Sequence, residues 1–447
     1  MTTPQRFAAL VYLTLTCLAA GTATGQSQLG RGKRWVRSHP FTTMALTILA
    51  DTYDPLQYRA ANLNTTLAWK ERSDLLQEST SANLPWHVHL RSVVLRDAGL
   101  TDEIKARLKK LYNTHPGCTG WLVWDEPKRP EMFEAAGAIA WLKQAYPDTL
   151  VYSNAYPRGA TLERYYGGEL PPGGYSYEQY LRDFAKIMDP DVLMFDMYIF
   201  RQSGGTGNPF PTMMDARKIG RETGKPFWAF VQSHSDDRRG YRMPSESDIR
   251  MQVFSHLTVG FTGIAYFTYE DQQGPAMISN GARQRRPIYY HVARLNQEVI
   301  HVGQALRFLE TVNVWYLPGD GNKLPAATQR WPAGQSPIPA LQSIRIEGSS
   351  APWRDLLIGA FRDDAGHTYM MLTNLWHAPQ ASAAQRTMTV SLKLNSAIKT
   401  VGRLSRETGR PESLSVDDGE LQLTLPGGTG ELLRLGDARF PGLDASP

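Results

Sequence analysis

From Phe41 onward, short runs of apolar, β-branched and aromatic residues alternate with longer stretches whose apolar positions recur at helical spacing. Parallel strands covered on both faces need the first pattern, and their crossover helices need the second. The runs fall at residues 43–49, 63–69, 86–90, 120–124, 150–153, 192–198, 227–231 and 263–268. Between them, residues 101–112, 130–146, 176–188, 212–223 and 245–259 fit amphipathic helices. Eight strand and helix units in this order predict an α/β fold, a (β/α)8 TIM barrel rather than an open sheet. No Gly-rich phosphate turn follows the first run, which argues against a dinucleotide-binding fold.

After a closing helix at 288–309 the texture changes. Residues 317–339 are rich in Pro, Gly, Ala and Gln, and only short strands follow, at 343–347, 356–361, 368–375, 388–394, 400–405, 421–425 and 432–435. Turn residues such as Asp417-Asp418-Gly419 and Pro426-Gly427-Gly428 separate them, which predicts a C-terminal antiparallel β-sandwich. The expected division is a signal segment over 1–25, the barrel over 26–312, a linker over 313–340 and the sandwich over 341–447. No tether of low complexity separates barrel from sandwich, so the two are expected to pack as one rigid unit.

The N-terminus reads as an export signal: Arg6, an apolar stretch from Phe7 to Ala20, and small residues Ala23-Thr24-Gly25 before Gln26. The apolar run is short and broken by Thr, and Leu15-Thr16-Cys17 does not form a lipoprotein box, so a secreted or periplasmic product without a membrane anchor is expected. Removal of that segment leaves Cys118 as the only cysteine, which excludes an intramolecular disulfide and any Cys-rich metal site. The net charge is +5, but Lys and Arg are dispersed, so nothing points to a nucleic-acid partner. The basic patches Arg31-Gly32-Lys33-Arg34 and Arg283-Gln284-Arg285-Arg286 read as solvated loops, and an acidic polysaccharide remains an open substrate class.

Reactive groups of a TIM barrel project from the C-terminal ends of its strands. The fourth run, Gly120-Trp121-Leu122-Val123-Trp124, stops abruptly at Asp125-Glu126-Pro127. A carboxyl set against indoles has its ionised form disfavoured and its pKa raised, as a general acid needs at neutral pH. The bland alternative is that Asp125 caps the following helix and Pro127 starts it; the two readings are compatible, with Asp125 structural and Glu126 catalytic.

Trp124-Asp125-Glu126-Pro127 resembles the acid/base element of clan A glycoside hydrolases, where a Glu closes the fourth strand, often after Asn and here after Asp125. The resemblance covers Phe41 to about Leu309 as a strand order, and Leu356 to Leu435 as the sandwich that many of these enzymes carry. It implies a glycosidase of poly- or oligosaccharides that needs no cofactor, and a nucleophilic Glu closing the seventh strand. Here the chain departs from the pattern, because Phe227-Trp228-Ala229-Phe230-Val231 runs into Gln232-Ser233-His234. A retaining mechanism needs a second carboxylate about 5 Å from the first.

Three replacements are available. Asp196 closes the sixth run as Asp-x-Tyr, Glu270 and Asp271 follow the eighth, and Asp236 and Asp237 lie in a polar loop beyond the seventh. The expected catalytic set is therefore Glu126 with Asp196 or Glu270. Asp125, Trp69, His87, Asn154, Tyr198, Trp228 and Gln232 are expected to line a sugar pocket, since rings stack on sugar C–H faces while amides and imidazoles read hydroxyls. His87 and His89 share a strand face but lack a third convergent ligand, so no metal site is expected. The competing expectation is a degenerate barrel that binds carbohydrate without cleaving it, with Gln232 marking the lost nucleophile.

Overall fold

The computed structural model describes residues 29–90, 99–168, 170, 176–319, 323–348 and 354–443; the expected export segment lies outside them. Eight parallel strands close into a barrel in chain order. They are β1 (Thr42–Thr47), β2 (Thr65–Trp69), β3 (Trp86–His89), β4 (Cys118–Asp125), β5 (Leu150–Ala155), β6 (Leu193–Met197), β7 (Phe227–Gln232) and β8 (Gly263–Phe267). Closure is made by β1 and β8, with Met44 opposite Ala265. Each apolar run of the sequence becomes a strand because a barrel strand is covered on both faces; every residue of β1 and β7 is buried.

The helices are α1 (Arg31–Ser38), α2 (Pro55–Ala60), α3 (Ser73–Ser81), α4 (Asp102–Thr114), α5 (Arg129–Ala145), α6 (Leu162–Tyr166), α7 (Tyr177–Asp183), α8 (Phe210–Thr223), α9 (Glu246–Val259) and α10 (Pro287–Leu306). Their starts follow local chemistry: the Thr101 hydroxyl accepts from Ile104 N, and Ser245 and Asp248 form a reciprocal capping box on α9. The helix expected over 176–188 is α7 followed by a π-helical turn, Phe184–Met188. No helix of the described residues is long and apolar enough to cross a membrane.

The patch Arg31-Gly32-Lys33-Arg34 is not a solvated loop. It opens α1, where Arg31 pairs with buried Asp191 and donates to the carbonyls of Pro147 and Thr149. Trp35, one turn on, closes the N-terminal end of the barrel, its ring 5.9 Å from that of Trp228 and 6.0 Å from His87.

The second body has two antiparallel sheets. Its strands are β9 (Glu310–Leu317), β10 (Leu341–Ile346), β11 (Leu356–Arg362), β12 (Thr368–Asn374), β13 (Met388–Leu394), β14 (Thr400–Leu404), β15 (Pro411–Ser415), β16 (Glu420–Leu425) and β17 (Gly430–Leu435). A three-stranded sheet, β10-β13-β16, faces a six-stranded one, β15-β14-β17-β12-β11-β9. Ile344, Ile358, Leu372, Val390, Val401 and Leu433 fill the space between them. The sheet begins at Glu310 with β9, so it draws on residues at the start of the stretch expected as a linker.

The other face of the six-stranded sheet packs on α9. Leu357, Phe361, Met371 and Leu432 join Phe254 and Leu257 in one core continuous with the barrel. This explains why α9 is buried on every side from Ser247 to Val259. A charged bridge spans the same seam: Arg250 and Arg406 both bond Glu298, at 2.9 Å each, and Arg406 also reaches Glu431 at 3.0 Å.

Candidate active site

The C-terminal mouth of the barrel opens into a cleft of about 800 Å³ whose lining includes Trp69, Asp125, Glu126, Asn154, Asp196, Tyr198, Tyr241 and Phe267. Its floor is set by an irregularity in β4. Leu122 pairs with Tyr152 on β5, yet Asp125 pairs with Asn154, so β4 carries one extra residue there. A bulge of this kind at a barrel rim re-aims the side chains that follow it. Glu126 then adopts a left-handed backbone with φ 53°, held by its N–H donating to Asn154 O at 2.8 Å. For a glutamate that conformation costs about 1–3 kcal/mol, which the surrounding structure must offset.

Asp125 and Asp196 share one donor. The Asn154 amide nitrogen donates to Asp125 Oδ1 at 3.1 Å and to Asp196 Oδ1 at 3.4 Å. Burial pushes the Asp125 carboxyl up to about 6, against the lowering effect of Asn154. Burial is also the main cause that raises Asp196; the Asp125 charge adds to it, while Asn154 and Tyr198 hydrogen bonds oppose it. Glu126 is raised first by burial, then by the charges of Asp196 and Asp125. Three carboxyls in one partly dry cleft cannot all ionise, and the two that accept from Asn154 are better compensated. The proton therefore resides preferentially on Glu126.

The ring of Trp69 lies 3.9 Å from that of His89, and Trp69 is half-exposed to the cleft. Tyr198 is wedged edge-on against His234 at 5.1 Å and tilted against Phe267 at 5.3 Å, so both aromatic walls are braced from behind. The mouth thus combines flat apolar faces, an amide and three carboxyls, which suits a polyhydroxylated ligand.

Of the expected residues, the fold brings Glu126, Asp196, Asp125, Asn154, Trp69 and Tyr198 together on this cleft. His87, Trp228, Gln232 and Glu270 are elsewhere. His87 and Trp228 are second in their strands, at the closed end, where they stack in parallel with centroids 6.3 Å apart. His87 Nδ1 bonds the Tyr152 hydroxyl at 2.9 Å. A Cβ at Gly120 would lie 2.6 Å from the His87 ring, and one at Gly263 2.4 Å from Trp228, so these glycines make the room that the two rings occupy.

Gln232 is fully buried and bridges loop backbone: its Oε1 accepts from Phe200 N at 2.9 Å and its Nε2 donates to Arg242 O at 2.8 Å. Glu270 ties β8 to the end of β1, Oε1 accepting from Ile48 N at 2.5 Å and Leu49 N at 2.9 Å. Asp236 caps the 3-10 turn after β7 through the N–H groups of Arg238 and Arg239. Among the described residues no group of three His, Cys, Asp or Glu side chains could hold a metal ion.

Sequence reading missed Tyr241 and the arginines Arg158, Arg164, Arg201 and Arg239, all of which line the cleft. Their only signal is position, since each follows the end of β5, β6 or β7.

No family model and no curated protein matches this chain. Solved structures do. A GH27 β-L-arabinopyranosidase from Geobacillus stearothermophilus is 11% identical, with 93% of this chain and 100% of that one covered and a TM-score of 0.46. A putative α-galactosidase from Bacteroides fragilis NCTC 9343 is 8% identical over 91% and 76% of the two chains, TM-score 0.46. A GH30 endoxylanase from Clostridium papyrosolvens C71 is 11% identical over 89% and 97%, TM-score 0.44. The closed eight-stranded order of this chain by itself defines the barrel.

Proposed function

We propose that the protein is an exported glycoside hydrolase that cleaves a poly- or oligosaccharide, with Glu126 as general acid and Asp196 as the ionised partner carboxylate. The observation that carries this reading is the Asn154 arrangement: one amide compensates Asp125 and Asp196 and leaves Glu126 without a donor among the described residues. Glycosidic cleavage needs that asymmetry, a protonated carboxyl to protonate the departing oxygen and a charged one to stabilise or attack the developing oxocarbenium centre. Asp125 holds Asn154 in orientation, and Trp69 offers a flat face to a sugar ring.

Gln232 favours one rival, a barrel that binds sugar without turnover, because β7 supplies no nucleophile. Release of reducing ends from a panel of polysaccharides separates the two. On any substrate the wild type cleaves, Glu126→Gln should cost about 10²- to 10⁴-fold in rate, with far less loss on aryl glycosides whose leaving group hardly needs a proton. Asp196→Asn should fail on both kinds of substrate. Binding of a saccharide by a protein that releases no reducing ends from any polymer would favour the rival.

A further inference from the structure

We propose that the cleft takes an anionic saccharide, one bearing a carboxylate or a sulfate ester, and that Arg164, Arg201 and Arg239 receive the anionic group. This rests on the glycosidase reading of the same cleft and adds its substrate class. The three arginines, with Arg158, line the cleft and belong to segments that follow β5, β6 and β7. Those adjacent strands form one side of the mouth, and Trp69, at the end of β2, stands on the opposite side. The cleft is therefore two-sided, an indole facing a row of cations.

These cations act on the floor only at a distance: the charges of Arg164 and Arg239 pull the Glu126 carboxyl down, against the larger raising effects of burial, Asp196 and Asp125. Among the described residues no ion pair joins Asp125, Glu126 or Asp196 to any arginine; Arg158 is paired with Asp215 instead. Arg164 and Arg201 have no carboxylate partner among the described residues. Arg201 lies over the Tyr241 ring at 4.5 Å, a contact that orients the guanidinium and leaves its N–H edge for a ligand. Arg239 bonds Gln273 and stands 3.8 Å from buried Asp236, too far for a hydrogen bond that would occupy its fork.

All three are exposed at the rim. Arginine forks match the paired oxygens of carboxylates and sulfates, whereas a neutral sugar offers them only hydroxyls. Cations gathered on one wall also raise the local concentration of an anionic chain.

The test uses the full-length Glu126→Gln protein, which can bind without turnover, titrated calorimetrically with neutral, uronate-containing and sulfated oligosaccharides of matched length. At least one anionic series should bind about tenfold tighter than its neutral counterpart, with an advantage that shrinks as salt is added. Which series gains identifies the source of the charge. Adding Arg164→Ala and Arg239→Ala should remove that advantage and leave neutral binding within about twofold. Equal binding of neutral and anionic ligands, or an equal loss of both in the arginine variant, overturns the inference while the glycosidase reading stands. If no saccharide of any series binds, both fall together.

Discussion

The two ends of the barrel bury titratable groups in opposite ways. At the closed end, burial pushes the His87 imidazole down to about 3, so it stays neutral, bonded to Tyr152 and stacked on Trp228 beneath Trp35. At the open end two carboxyls share a single amide and a third, Glu126, lies beside them without one; each is raised in pKa while remaining in contact with the cleft. Neutralisation removes the cost of burial at one end; at the other it would remove the chemistry. A buried titratable group thus marks a site only where its charge state is contested and a ligand can reach it.

The largest contrast should come from the tryptophans of the two ends. Trp228→Ala empties a space shaped by Gly263 and should lower unfolding free energy by about 3–5 kcal/mol. Trp69→Ala removes a half-exposed ring and should stay within about 1 kcal/mol in stability, yet raise KM several-fold. Chemical denaturation and steady-state kinetics on both variants check this. Equal loss of stability would mean that Trp69 is packing rather than platform.

Much of this contrast was legible in the chain, but not the height of residues within the barrel. Parallel strands announce themselves as unbroken apolar runs, and Asp125-Glu126 stood out because two carboxylates end such a run. Period two puts His87 and His89 on one strand face, but it does not say that His87, like Trp228, is second in its strand and so at the closed end. Polar α1 looked like solvent-facing loop because the partner that makes sense of Arg31, Asp191, is 160 residues away. Edge strand β15, Pro411–Ser415, is half-polar and opens with Pro, which hides it. The arginines of the mouth lie on loops, on one short helix and in a 3-10 turn, segments too brief or irregular for periodicity to operate.

A smaller effect separates the ends by pH. Glu126 titrates higher in the folded protein than its unfolded value of about 4.3, so folding favours its protonated form. That contribution is fully present below the unfolded pKa and is lost as pH rises through the folded one. Glu126→Gln abolishes the titration, so its melting temperature should gain on the wild type as pH goes from about 5 to about 9. His87→Gln should diverge the other way: the folded imidazole stays neutral while the unfolded one takes up a proton below about 6.5, so the wild type should gain on this variant as pH rises from about 5 to about 7. Parallel melting curves for Glu126→Gln and wild type would show that the carboxyl is not raised.

The smallest effect is expected at Glu270, a carboxyl as buried as any at the mouth. Burial pushes it up to about 7, although the N–H groups of Ile48 and Leu49 pull the other way. Its Oε1 pins the end of β1, and Oε2 has no hydrogen-bond partner among the described residues. A glutamine keeps the accepting oxygen and the shape, so Glu270→Gln should alter kcat by less than about threefold and stability by no more than about 1 kcal/mol. Glu270→Ala removes the acceptor of two partly buried N–H groups and should cost stability instead, by about 1 kcal/mol for each. Kinetics on the glutamine variant and denaturation of the alanine variant together define the role. If Glu270→Gln lost activity as steeply as Asp196→Asn, the partner of Glu126 would lie on β8 rather than β6, and the division between structural and reactive carboxyls drawn at this mouth would have to be reversed.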